Sequence, residues 1–96
     1  GNQQRVVLAK CLATEPRILV LNSPTMGVDV ASKAAIHRFI RELCDRGMGI
    51  ILISDDIPEL LQTCDRILIL KRGRISHALR GRAVTETELH KMLMEE

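Results

Sequence analysis

Ninety-six residues allow at most one compact unit, and 46% hydrophobic with 27% charged residues is the balance of a folded chain, not a disordered one. Fourteen Lys and Arg against twelve Asp and Glu leave a formal charge of +2, and Phe39 is the sole aromatic residue. That excludes both the basic footprint and the stacking platform of a nucleic-acid binder. The longest apolar run, Gly47 to Ser54, is strand-sized and far short of the ~20 residues of a membrane span, and no basic-then-apolar secretory pattern stands at the start.

In chain order, Asn2–Thr14 has the polar start and apolar body (Val6, Val7, Leu8, Cys11, Leu12) of a helix, stopped at Glu15-Pro16 because proline biases its predecessor away from helical geometry. Arg17–Leu21 is predicted to be a short buried strand closed by Pro24. Ile36, Phe39, Ile40 and Leu43 form an i, i+3, i+4, i+7 stripe, which predicts an amphipathic helix over Val30–Arg46 with Gly47 as its stop.

Gly49–Ser54 reads as a second buried strand and Ile57–Cys64 as a short helix with proline near its start. Arg66–Leu70 is a third strand, Lys71-Arg72-Gly73-Arg74 a tight and solvated turn, and Ile75–Leu79 a returning hairpin arm. Thr85 and Glu88 fit a capping box that opens a last helix burying Leu89, Met92 and Leu93, with Met94 also a packing residue.

Cys11, Cys44 and Cys64 are unevenly spaced with no C-x-x-C among them. They are read as buried free thiols of a reducing compartment, and with His37, His77 and His90 they lack zinc-site spacing.

Strands continuous in Val, Ile and Leu, separated by helices, predict an α/β fold whose parallel sheet is covered on both faces. Arg17–Leu21, Gly49–Ser54 and Arg66–Leu70 are expected as parallel neighbours in one sheet. Ligands of such sheets sit beyond the carboxyl ends of the strands, here Asn22-Ser23-Pro24-Thr25 and Ser54-Asp55-Asp56.

These segments resemble the C-terminal part of an ABC-transporter ATPase domain. Gly1-Asn2-Gln3-Gln4 is similar to the end of that family's signature, and RILVLNSPT to its Walker B strand, which usually ends in DEPT. Gly27-Val28-Asp29 resembles the D-loop, and ILISDD the switch-loop strand that usually ends in His. The GNQQ, GVDV and PELL-x-x-CDRI stretches are similar to the second ATPase half of monosaccharide importers of the ribose, galactose, xylose and autoinducer-2 type. The resemblance implies a partial P-loop NTPase fold over residues 1–96, a C-terminal fragment of one ATPase domain, with a short hairpin and a terminal helix. No G-x-x-x-x-G-K-[ST] occurs, so the phosphate-cradling loop is absent from this sequence and the chain alone is expected neither to bind ATP in the family manner nor to hydrolyse it.

Further implications of the resemblance concern particular residues. Asn22 stands where the family's Asp holds Mg²⁺, and Ser23 where its Glu activates water. Neither carries the charge its role uses. Asp55 stands at the switch position, where a carboxylate would oppose the γ-phosphate. The site in this half therefore looks degenerate, although Asn22 and Ser23 also suit a plain strand-to-turn connection. Gly1, Asn2 and Gln3 would close over ATP and Mg²⁺ held by the other ATPase half, and Asp29 would meet that half or else cap the helix that follows it. Implied partners are the other ATPase half, membrane permease subunits and a periplasmic sugar-binding protein, at the cytoplasmic face of the inner membrane. Two alternatives stand beside this reading: a non-catalytic structural remnant of such an ATPase, and a receiver-like signalling domain using Asp55, Asp56 and Lys71.

Overall fold

A computed structural model of the chain describes residues 17–95. The helix expected over Asn2–Thr14, the candidate residues Gly1, Asn2 and Gln3, and Cys11 lie outside the described residues. The chain divides into two units, Gly1–Ile53 and Ser54–Glu96.

In the first unit, β1 (Ile18–Asn22) and β2 (Gly49–Ile53) pair in parallel, with Val20 opposite Ile51 and Asn22 opposite Ile53. The 16-residue helix α1 (Val30–Asp45) joins them. Parallel neighbours require such a crossover, and α1 supplies it on one face. Leu19 and Leu21 meet Ile36, Ile40 and Leu43 in a core, with Phe39, Ile50 and Leu52 packed against it. The expected helical stripe is therefore the buried one. Gly47, at φ 95°, ends the helix: its N–H donates to the Cys44 carbonyl and that of Met48 to the Leu43 carbonyl. This double bond pattern needs a left-handed residue, which glycine adopts without a Cβ penalty.

Among the described residues α1 covers one face of this pair, and the helix expected over Asn2–Thr14 lies outside them. Burial alternates along β1, and Ile18, Val20, Ile51 and Ile53 are 49–65% exposed. Strand side chains alternate between faces, and α1 occupies only one of them.

In the second unit, α2 (Ile57–Thr63) leads to β3 (Arg66–Lys71), β4 (Arg74–Arg80) and α3 (Glu86–Met94). β3 and β4 form an antiparallel hairpin of their own. The expectation that the third strand joins the parallel pair is thus corrected: among the described residues its partner is β4. Arg72 and Gly73 both have positive φ, the two-residue mirror turn whose twist matches a hairpin, and closing so short a loop costs little entropy. Ile57, Ile67, Ile69 and Leu89 make the core. Thr85 and Glu88 form the capping box that the sequence predicts, each bonding the other's backbone N–H.

Three further expectations are corrected. Leu93 and Met94 are 44% and 83% exposed, because only the stripe through Leu89 and Met92 faces the hairpin. Lys71 is half-buried and bonded to the end of α3, while Arg72 and Arg74 are exposed as expected. Cys44 and Cys64 are outside any disulfide and half-buried at the margins of the two cores, where full burial was expected.

Gly81 marks a close approach of backbone to backbone. A Cβ there would lie 2.3 Å from the Cys64 carbonyl oxygen. Gly81→Ala is expected to destabilise this unit by about 1–3 kcal/mol, the range for overpacking, because the obstacle is main chain and not a movable side chain. Denaturant unfolding of variant against parent measures it.

Candidate functional site

The carboxyl end of β1 is built by the ladder and two turns. Ser23 lies one residue past the strand, yet its N–H still donates to the Ile53 carbonyl at 2.8 Å. Its φ is 49°, a left-handed conformation that non-glycine residues rarely take. Met26 N–H closes a turn onto the Ser23 carbonyl at 3.2 Å with Pro24 second, where its fixed φ belongs. Val28 N–H closes the next onto the Thr25 carbonyl at 3.2 Å, and Thr25 is buried beneath. Asn22 and Ser23 are held side by side, the Ser23 hydroxyl donating to Asn22 Oδ1 at 3.3 Å.

Asp29 is the N-cap of α1. One carboxylate oxygen accepts from Ser32 N–H at 2.8 Å and the other from the Ser32 hydroxyl at 3.0 Å. These bonds, the backbone one foremost, hold its pKa below the ordinary 3.8. Of the two roles the sequence leaves open, the capping one is occupied. A carboxylate with a lowered pKa contributes stability fully above its ordinary pKa and loses it as pH falls through the lowered value. Protection of the Ser32 and Lys33 amides, after correction for intrinsic exchange rates, is therefore expected to fall on acidification below about pH 4. Asp29→Ser, which keeps a cap without the carboxylate, should abolish that pH dependence while preserving the helix start.

Asp55 is the second residue of the second unit and is exposed. Its neighbours are committed locally: Ser54 Oγ accepts from Asp56 N–H at 3.0 Å, and Asp56 caps α2 by accepting from Glu59 N–H at 3.1 Å. The D-x-x-E spacing of Asp56 and Glu59 is the sequence signal for this cap, parallel to the one recognised at Thr85. Among the candidates, Asn22 and Ser23 are in contact, Asp29 serves its own helix, and Asp55 belongs to a separate unit.

The end of β1 offers one amide carbonyl and one hydroxyl, bonded to each other, and neither Asn22 nor Ser23 brings the carboxylate charge that a hard cation favours. Among the described residues no group of three or more His, Cys, Asp or Glu could hold a metal. No helix among them is long and apolar enough to cross a membrane.

A parallel strand pair joined by a capped helix, a polar turn at the first strand's carboxyl end, and a following hairpin and helix are an α/β arrangement consistent with part of an ABC-type ATPase. The sequence comparisons go further: the chain is similar to a stretch of several ribose import ATP-binding proteins. It is 44% identical over 89 residues to the ribose import ATP-binding protein RbsA of Roseobacter denitrificans, an alignment covering 93% of this chain and 17% of that protein. Ribose import ATP-binding protein RbsA 2 of Agrobacterium fabrum is 48% identical over 89 residues, again 93% of this chain and 18% of the relative. RbsA 2 of Rhizobium meliloti is 46% identical over 86 residues, with 90% and 17% covered. The chain thus spans less than a fifth of the length of these relatives. No family model matches it.

Proposed function

We propose that this chain is the C-terminal part of the second ATPase half of a monosaccharide importer's ATP-binding subunit, with ribose the first sugar to test. It acts in trans: Gly1, Asn2 and Gln3 close over the nucleotide held by the other half, while its own hydrolytic site is silent. The observation that carries the silent site is the end of β1, where Asn22 and Ser23 bond to each other and present no carboxylate. A hydroxyl with no base beside it is a poor proton acceptor near neutral pH. ATP and Mg²⁺ belong to the complete subunit and to the partner half's site. Permease subunits, a periplasmic sugar-binding protein and the cytoplasmic membrane face complete the arrangement.

The motif order and the 44–48% identity to ribose import proteins support the transport assignment. The exposed stripe of Ile18, Val20, Ile51 and Ile53 supports membership in a larger domain, since apolar patches of this kind mark surfaces that are covered in an assembly. The receiver-like alternative is disfavoured because Asn22-Ser23 stands where its acidic pair would be.

The test is association with an intact ATPase half, with and without ATP. A trans-acting signature requires that ATP strengthen the association. ATP-independent association would favour the structural-remnant reading, and hydrolysis by this chain alone would overturn the silent site.

A further inference from the structure

Among the described residues, the hairpin of β3 and β4 is packed on one face only. That face carries Ile67, Ile69 and Leu79, which meet Ile57 of α2 and Leu89 of α3. The alternate residues of β3, Arg66, Leu68 and Leu70, lie on the other face, and Arg80, Ala78 and Ile75 of β4 stand opposite them. Leu68, Leu70 and Ile75 are 45%, 67% and 59% exposed, so the strip is apolar and bare. At one end of it Arg66 is directly opposite Arg80, and like charges so placed repel. From Arg66 to Arg82 the chain has six basic residues and no acidic one, so the hairpin itself supplies no answering carboxylate.

We propose that this strip receives an acidic amphipathic helix from the remainder of the same subunit. Its apolar side lies on Leu68, Leu70 and Ile75, and one of its carboxylates sits between Arg66 and Arg80. The proposal rests on the reading of this chain as part of a longer subunit, since it spans less than a fifth of its relatives. Two strands about 4.8 Å apart present a strip about one helix wide, and helices already cover the hairpin's other face. A carboxylate that accepts from both guanidinium groups replaces their repulsion with charge-assisted hydrogen bonds. A second copy of the hairpin is a poor occupant, because it would set more arginines against these. An anionic lipid surface offers the charge but lacks its usual anchors here: interfacial segments are rich in Trp and Tyr, and the sole aromatic residue of the chain is Phe39 in α1.

The test places a photo-reactive benzoylphenylalanine at Ala78, the smallest side chain of the strip, in the complete subunit with its membranes present. The readout needs no ATP, so its failure is distinct from failure of the transport reading. Illumination should cross-link this position to one segment of the same polypeptide, with apolar residues at helical spacing and Asp or Glu beside them. Arg66→Glu together with Arg80→Glu should cut the yield about tenfold, since like charges then face each other across the contact. Changing the captured carboxylate to Lys in that background should restore the yield, which a hairpin that had failed to fold would not allow. Arg74→Gln, at the turn end, should leave the yield within about twofold of the parent's, as expected of a surface charge. Absence of a cross-link overturns the proposal, as does capture of lipid, of another chain or of a segment without carboxylates. A yield indifferent to the double charge reversal overturns it too.

Discussion

Replacing Asn22 by Asp and Ser23 by Glu together is expected to raise ATP turnover in the complete subunit by roughly a hundredfold at this half's site, the lower end of what a positioned general base contributes. The gain requires that a phosphate-cradling loop precede this chain in the subunit. The backbone accepts the change: Ser23 already occupies a left-handed conformation at φ 49°, so a second non-glycine side chain adds little strain to what serine bears. The Ser23 hydroxyl bond to Asn22 Oδ1 is lost, but it is a single neutral contact next to an exposed residue. Asp55 limits the gain if it meets the same phosphate. At ~4 Å and an effective dielectric of ~20, two like charges cost roughly 4 kcal/mol. Adding Asp55→His should then release a further increase. The measurement is ATPase rate with the other half's catalytic residues removed, so that this half alone is read. Normal turnover in the unaltered subunit under those conditions would show that Asn22 and Ser23 are not the defect.

The elements most legible in the sequence are those whose signals are local. The stripe at Ile36, Ile40 and Leu43 and the capping box at Thr85 and Glu88 each lie within one turn or two of helix, and both stand in the structure as expected. Strand positions are also legible, since β1, β2 and β3 fall within a residue of the predicted ends. Strand partnership is legible in part: the parallel β1–β2 pair and the hairpin arm β4 stand as expected, and only the placing of β3 beside the parallel pair does not. A run such as Ile67–Leu70 satisfies a parallel or an antiparallel neighbour equally, and the choice follows from the Arg72-Gly73 turn, whose closure brings β4 alongside at once. Which face is covered is not legible either: an apolar run of five residues states that its faces can be covered, and among the described residues burial alternates along β1. Lys71 was illegible because its partners are main-chain carbonyls 21 and 24 residues away, and carbonyls leave no mark in a sequence. At the candidate site the residue types of Asn22, Ser23 and Asp29 are plain, but the bond between the first two and the double bond of Asp29 to Ser32 are geometric facts.

Gly1→Asp, made in the complete subunit, is expected to lower ATP hydrolysis at the other half's site by roughly a hundredfold, comparable to removing one preorganised donor from a reacting oxyanion. The expectation rests on the likeness of Gly1-Asn2-Gln3 to the end of a signature that serves the partner's nucleotide. A glycine at such a place lets backbone N–H groups approach a phosphate, and the helix that the sequence predicts from the next residue would present its positive end to that anion. An aspartate would add both a side chain in that space and a negative charge facing the γ-phosphate. All of the partner half's own motifs stay intact, so the loss reads the trans contribution alone. The control must lie away from every motif and make no structural bond. Lys71 fails that test because it holds the end of α3. Arg72 meets it: it is exposed in the hairpin turn at φ 52°, and Arg72→Asn keeps a residue that tolerates this conformation. ATPase rate and ribose uptake, compared at matched expression, should collapse for Gly1→Asp and stay near the parent's for Arg72→Asn. Near-normal rates in both would mean that the signature end contributes nothing in trans, and that the chain serves its assembly by packing alone.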